Sequence, residues 1–178
     1  YDALGANTTG TGNVALGANA ADAFDVGSWN TAIGHTALGA DTKGSHSVAV
    51  GYGALTLQNF TSATNTFNTA IGNNALYANT TGASNTAVGY SSLTANTTGT
   101  FNVALGKGAG AANTTASNIT AIGYQALDAN TTGTMNTAVG TSCLGANTTG
   151  GYNVAMGVDA LAANTTGANN TAVGYGSL

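Results

Sequence analysis

The 178-residue chain has no proline, arginine or glutamate, a single cysteine, and only 4% charged residues, against about 25% in ordinary soluble domains. Two lysines and six aspartates give a net charge of −4. Without a basic patch, binding to nucleic acid has no support. No apolar run reaches the roughly 20 residues that a membrane helix needs, so we expect no membrane insertion. Cys143 cannot form an internal disulfide and is predicted to be a small buried side chain.

What the sequence does contain is a tandem repeat, whose cleanest copy is YQALDANTTGTMNTAVG at residues 124–140. An Ala-aliphatic-Gly motif recurs every 17 residues, apart from one step of 21. Its alanines are Ala15, Ala32, Ala49, Ala70, Ala87, Ala104, Ala121, Ala138, Ala155 and Ala172. We number the unit 1 to 17 from Tyr124 to Gly140. The period predicts a single solenoid domain over residues 1–178, with irregular coils at 18–72 that include a four-residue insertion.

The repeat predicts the local structure of each coil. Positions 13–16, NTAV in the cleanest copy, form a short strand that ends at an invariant glycine, which can take positive φ. Positions 3–6 are a second candidate strand, and the NTTG that follows is typical of a turn. The chain is therefore predicted to be all-β, a parallel β-solenoid of about ten 17-residue coils. At about 4.8 Å per coil, the rod is roughly 48 Å long.

The direction of the side chains follows from alternation along a strand. We expect the aliphatic residues at position 16 and the leucines at position 4 to form two core columns. Position 15 then faces outward, and because it is alanine in every unit, it is expected to pack closely against a neighbouring chain. The asparagines at position 13 are expected to form a ladder of side-chain amides along the stack.

The cores NTAVGY at residues 170–175 and SVAVGY at residues 47–52 resemble the head repeats of YadA-type trimeric autotransporter adhesins and the related repeats of bacteriophage tail fibres. The resemblance covers the whole chain, although the units here are longer than the familiar adhesin repeat. It implies a left-handed parallel β-roll, of which three copies pack into a homotrimer. It also implies an extracellular location, on a cell surface or a virion.

No arrangement of side chains predicts catalysis, which needs several different groups to converge at one place. The sequence has no Ser–His–Asp spacing and no paired glutamates, so we expect no enzyme, cofactor or metal. His35 and His46 could approach Asp41 from adjacent coils, but solvated loop histidines are the favoured interpretation.

The Asn-Thr-Thr turns allow two further interpretations. Seven sequons would present a row of glycans if they were modified, although repeated turn chemistry is favoured. They begin at Asn7, Asn79, Asn96, Asn113, Asn130, Asn147 and Asn164. Threonine arrays on solenoids can also bind ice, but an ice-binding face needs threonines that alternate along a flat strand. Ice binding therefore ranks below a fibre.

The function predicted from these features is a structural and adhesive rod segment of a bacterial surface adhesin or phage tail fibre. The alternatives are a homopolymeric extracellular filament of stacked solenoid units and an ice-binding solenoid. Partners are other copies of the chain, in a homotrimer or end to end, because the terminal coils carry no cap against strand addition. A host surface glycan or protein is a further candidate partner.

The irregular coils suggest where such a partner would bind, since stacking alone does not require their diversity and aromatic residues often anchor recognition. The candidate patch consists of Phe24, Trp29, His35, His46, Phe60 and Phe67. The alternative is that Phe24 and Trp29 only fill a locally different corner of the coil.

Overall fold

A computed structural model describes residues 2–178, and in this range the chain is an all-β parallel solenoid without a helix. Ten three-residue strands stack in one sheet, joined by nine turns of coil, and two two-residue strands form a second small sheet. The strands are β1 Val14–Leu16, β2 Thr31–Ile33, β3 Gly44–Ser45, β4 Val48–Val50, β5 Thr64–Asn65, β6 Thr69–Ile71, β7 Thr86–Val88, β8 Val103–Leu105, β9 Thr120–Ile122, β10 Thr137–Val139, β11 Val154–Met156 and β12 Thr171–Val173. The predicted solenoid is confirmed.

The large sheet keeps one register from end to end. In β10, for example, Ala138 pairs with Ala121 on one side and with Ala155 on the other. The 21-residue step leaves this register intact, because Val48 of β4 still pairs with Thr69 of β6. The inserted residues are accommodated beside β5, which pairs in parallel with β3. The insertion is therefore a local bulge on an unbroken stack.

The second predicted strand, at positions 3–6, is wrong, because this segment is a hydrogen-bonded turn. Positions 2 and 4 take left-handed backbone angles, as at Gln125 and Leu127, both with φ of 52°. This conformation costs a non-glycine residue about 1–2 kcal/mol. Complete burial of the Leu127 side chain is worth about 1.5–3 kcal/mol, and its N–H donates to Cys143 O at 3.0 Å. Burial and bonding together offset the strain.

The interior of the rod is narrow, and this reverses the predicted direction of the strand side chains. Nine of the ten alanines at position 15 are buried and Ala15 of the first coil is half-buried, whereas Leu105 at position 16 is 48% exposed and Val173 is 69% exposed. The position-15 methyl groups therefore join the buried leucines of position 4 in the core. The predicted position-16 column and the outward alanine stripe were wrong, and the predicted leucine column is confirmed. Only a small side chain fits between the strand and the facing turn.

Two ladders of buried asparagines fill the rest of the core. At position 13, Asn136 Nδ2 donates to Gly150 O at 2.7 Å, and Asn136 Oδ1 accepts the Asn153 N–H at 2.9 Å. This confirms the predicted ladder. At position 7, Asn147 Nδ2 donates to Asn130 Oδ1 at 2.9 Å. Within residues 2–178 no buried side-chain nitrogen or oxygen lacks a partner, so these polar columns meet the requirement that buried amides be paired.

The glycine at position 17 fixes the close spacing of the coils. Gly140 has φ of 139°, and a Cβ on this residue would lie 2.4 Å from Gly157 O in the next coil. No other residue type fits this combination of angle and contact. None of the described residues forms a helix long and apolar enough to cross a membrane.

Candidate functional site

The largest candidate site is the outer surface of the ten-stranded sheet. The side chains at positions 12, 14 and 16 and at position 1 of the next coil are exposed or half-buried, and we call this surface the sheet face. Its exposed large apolar residues are Val14, Leu16, Trp29, Tyr52, Phe67, Ile71, Tyr90, Phe101, Val103, Leu105, Tyr124, Met135, Tyr152, Val154, Met156, Val158, Val173 and Tyr175. An apolar surface that runs the whole length of a rod is characteristic of an interaction site.

Charge is scarce on the sheet face. None of the six aspartates occupies positions 1, 12, 14 or 16, and the titratable side chains with a basic group there are Lys107, His35 and His46. Lys107 Nζ lies 5.9 Å from the ring centroid of Tyr90 and 5.8 Å from that of Tyr124, its position-1 neighbours in adjacent coils. These distances correspond to cation–π contacts. Interface cores are similarly depleted in charged residues.

Four of the six predicted patch residues lie on the sheet face. Trp29, His46 and Phe67 occupy position 12 of three consecutive coils and are all exposed. The His46 and Phe67 ring centroids are 5.5 Å apart. His35 occupies position 1, on the other side of the strands, where it stacks on Tyr52 with a centroid distance of 5.5 Å and an interplanar angle of 11°. The structure therefore arranges these residues in two short rows.

The other two patch residues lie inside the rod. Phe24 is completely buried and Phe60 is 8% exposed. Phe24 stands at position 7, where the regular coils have asparagine, and its ring fills the interior that an amide occupies elsewhere. The prediction that these two aromatic side chains form part of an exposed patch is corrected, and the corner-filling alternative describes Phe24. The exposed Trp29 does not fill the core; its ring lies against Gly12, where a Cβ would be 2.4 Å away.

Beneath the irregular coils lies a buried polar network that the sequence interpretation missed. Asp41 is completely buried at position 7. Its carboxylate accepts the N–H groups of Lys43, Gly44 and Phe60 at 3.0–3.3 Å and Gln58 Nε2 at 2.6 Å. Four donors satisfy the carboxylate and tie the inserted segment to coil 3. This network could have been found by aligning the repeat units, because Asp41 and Gln58 both occupy position 7, where the regular coils have asparagine.

Gln58 connects this network to the regular ladders. Its Nε2 donates to Ser47 Oγ at 3.1 Å, and its Oε1 accepts Asn68 Nδ2 at 2.7 Å. Since Asp41 is committed to this interior network while His35 and His46 are exposed, the three do not converge. Over residues 2–178 no group of three or more His, Cys, Asp or Glu side chains could hold a metal ion.

Five of the seven Asn-Thr-Thr turns bury their asparagine inside the rod, whereas Asn7 in the first coil is exposed and Asn164 in the last coil is half-buried. The side chains of Asn79, Asn96, Asn113, Asn130 and Asn147 are completely buried, so a glycan cannot be attached to them in the folded coil. In six of the seven turns the hydroxyl of the first threonine donates a hydrogen bond to the next coil, as where Thr131 Oγ1 donates to Thr148 O at 3.0 Å. In the interior coils only the second threonine, such as Thr132, is exposed. Turn chemistry is therefore the interpretation that the geometry supports.

Cys143 is completely buried at position 3, as predicted. Its Sγ lies 3.1 Å from Ala155 O, in hydrogen-bonding geometry. Burial raises the pKa of the thiol above its ordinary value, and the nearby charge of Asp159 raises this pKa further. The thiol is thus a small core side chain and not a reactive group.

The site consequently comprises an apolar sheet face and, at one end of it, two short aromatic rows. Both features are surfaces suited to contact with another molecule. No protein-family model, curated protein or solved structure matches the chain.

Proposed function

We propose that the chain is a structural and adhesive rod segment of an extracellular fibre, either a bacterial surface adhesin or a phage tail fibre. In this proposal three copies lie side by side and parallel, with their sheet faces turned toward a common axis. The observation that carries the proposal is the apolar sheet face, which extends over all ten strands of the large sheet. The likeness of the repeats to YadA-type head repeats supports the trimer and a left-handed coil.

The size of the sheet face suits a stable interface. Ten strands spaced about 4.8 Å apart extend over roughly 43 Å, and the seven residues from position 12 to position 1 of the next coil span about 20 Å. The product is roughly 860 Å² per copy, close to the roughly 800 Å² that each partner contributes to a standard interface. A single copy would leave this apolar area in water.

Another copy of the same chain is the partner that fits this surface best. In a parallel assembly each coil meets the corresponding coil of its neighbours, so the match of period is automatic. Two identical apolar faces can pack together without opposite charges, and the sheet face carries no aspartate that would repel its copy in a neighbouring chain. Each apolar contact recurs in successive coils along the rod, and symmetry repeats it in every copy, so many small contacts add up to one interface.

The adhesive part of the proposal is supported by the irregular coils. Trp29, His46 and Phe67 place a ring at position 12 of three consecutive coils, a run that the regular coils do not repeat, and they are exposed at the margin of the sheet face. Exposed aromatic side chains are frequent anchors in recognition. We assign no catalytic role to the chain, because its buried carboxylate, Asp41, is saturated by internal donors.

The test is sedimentation equilibrium of the parent chain beside Val139→Asp and Thr132→Asp. Val139 lies half-buried on the sheet face, and Thr132 is exposed on the Asn-Thr-Thr turn. The parent should have about three times the 17.1 kDa mass of one chain. Val139→Asp should dissociate while keeping its circular dichroism, because it places a charge within the apolar contact.

The matched variant Thr132→Asp adds the same charge outside the sheet face and should remain assembled. A parent chain that sediments as a monomer at micromolar concentration would contradict the proposal. A mass that grows without limit as concentration rises would favour the homopolymeric filament instead.

A further inference from the structure

An open cleft of about 250 Å³ interrupts the surface of coils 4 to 6. It is lined by Tyr52, Asn74, Tyr77 and Thr94. Tyr52 is on the margin of the sheet face, and the other three belong to the turns at positions 2 and 5 of the next two coils. The cleft is thus outside the aromatic row formed by Trp29, His46 and Phe67, and it shares only Tyr52, at the edge of the sheet face, with the surface that the proposed assembly covers.

The cleft exists because the repeat departs from its pattern at two places. Gly53 leaves position 2 without a side chain, and a Cβ there would lie 2.5 Å from Asn74 Oδ1 and 3.4 Å from Tyr77 Cδ2. Tyr77 is the one aromatic residue at position 5, where the other coils have Gly, Asp, Thr or Ala. A missing side chain and an added ring, side by side, produce a recess with an aromatic wall.

The ring of Tyr52 is stacked on one of its two sides. His35 stacks on it from the preceding coil at 5.5 Å. The next coil has Asn73 at the same position, and Asn73 Oδ1 accepts the Tyr52 N–H at 3.3 Å. The ring therefore has an aromatic neighbour on the His35 side only, and stacking there restricts its rotation.

The polar groups in the cleft suit a ligand rich in hydroxyl groups. The Asn74 amide offers two donors and an acceptor, and the Thr94 hydroxyl can both donate and accept. Neither side chain takes part in a hydrogen bond among the described residues. No lining residue is charged, so nothing in the cleft favours an anion or a cation.

From this combination we propose that the cleft binds one ring of a neutral saccharide, such as the terminal sugar of a surface glycan. The apolar face of a pyranose would contact the tyrosine rings, and its hydroxyl groups would bond Asn74 and Thr94. The volume is below the roughly 300–1,000 Å³ of pockets for drug-sized ligands, which matches one sugar ring. This inference rests on the proposed adhesive rod and names the class of ligand that it takes.

The experiment is saturation-transfer NMR, with titration, of the assembled chain against the methyl glycosides of glucose, galactose, mannose and N-acetylglucosamine. At least one probe should bind the parent. Gly53→Asn should weaken that binding at least tenfold, because the new side chain fills the recess. The variant should fold, since Asn19 and Asn74 occupy position 2 with φ of 55° and 57°. Tyr77→Thr replaces the aromatic wall with the threonine that the next coil has at position 5, and it should weaken binding to a similar degree.

The matched control is Gly108→Asn, the same substitution at the same position of coil 7. There a Cβ meets only Gln125 Cγ, at 3.5 Å, and position 5 of the next coil is Asp128. This variant should bind the sugar as the parent does. Failure of all four probes to bind, or equal binding by Gly53→Asn and the parent, would overturn the inference. Sedimentation of the same samples separates this result from a failure of the rod to assemble, which would contradict the proposed function.

Discussion

Removal of one amide from the position-7 ladder should destabilise the rod locally. Asn130 is completely buried. Its Nδ2 donates to Asn113 Oδ1 at 3.2 Å and to Gly133 O at 3.0 Å, and its Oδ1 accepts Asn147 Nδ2 at 2.9 Å. Asn130→Ala abolishes all three bonds. The change therefore tests whether the buried amides stabilise the stack.

The magnitude follows from these contacts. A hydrogen bond contributes about 1 kcal/mol net, so three bonds give about 3 kcal/mol. Gly133 O keeps a partner in Asn136 Nδ2, and Asn147 Nδ2 keeps one in Gly150 O. Asn113 Oδ1 loses the donor that the next coil supplied. We therefore expect a loss of about 3 kcal/mol, well above the average of about 1 kcal/mol for point substitutions.

Hydrogen exchange of backbone amides is the suitable assay, because a solenoid unfolds in parts and has no single unfolding free energy. Amides of coils 7 to 9, such as that of Thr131, which donates to Thr148 O at 2.9 Å, should lose protection. A loss of about 3 kcal/mol corresponds to an exchange rate about a hundredfold higher. Amides of coils 2 to 4 should exchange at an almost unchanged rate.

The control is Asn7→Ala, at the same position of the first coil. Asn7 is exposed, and its amide donates only to Gly10 O among the described residues. This variant should change exchange in its own coil by less than tenfold. If Asn130→Ala left the protection of coils 7 to 9 at the parent level, the stabilising role of the buried ladder would be refuted.

Three further predictions concern the core. Ala138→Leu should lower the local stability of coil 8 by about 1–3 kcal/mol through overpacking, whereas Val139→Leu should leave it almost unchanged; hydrogen exchange of the backbone amides of coil 8 compares the two variants. Cys143 should react with iodoacetamide far more slowly in the native chain than in denaturant at pH 8, because its raised pKa lowers the thiolate fraction; equal rates by mass spectrometry would contradict its burial. Asn130→Asp should be less stable than the parent at pH 7 and should recover stability as the pH falls toward 4. Burial raises the folded-state pKa of the new carboxyl above its unfolded value of about 3.9, so the neutral form is favoured in the folded chain. Thermal melts of the variant and the parent at both pH values give the sign of this pH dependence.

The solenoid could be predicted from the sequence because residues that restrict the backbone recur at the same positions of successive 17-residue units. The invariant position-17 glycine and the Asn-Thr-Thr turns recur at one spacing, and such a pattern fits stacked coils and little else. The second strand could not be predicted in the same way. Leu127 has no intrinsic preference for positive φ, and its angle is imposed by the burial of its side chain.

The inside and the outside of the strand were assigned wrongly because hydrophobicity alone ranks Val139 above Ala138. The width of the rod decides the matter, since only a methyl group fits between the strand and the facing turn. The aromatic row of Trp29, His46 and Phe67 was predictable, because these residues share position 12 once the repeat is aligned. The burial of Phe60 could not be predicted, since the inserted residues around it have no counterpart in the other coils.

The most direct test of the account measures distances between copies with spin labels. In a Cys143→Ala background, one label is placed at Val139→Cys on the sheet face and another, in a separate variant, at Thr132→Cys on the Asn-Thr-Thr turn. If the sheet faces meet at the axis of a trimer, the distance between labels at residue 139 should be clearly shorter than that between labels at residue 132. A longer distance at residue 139, or no intermolecular coupling from either residue, would contradict the claim that this apolar face is covered by copies of the same chain.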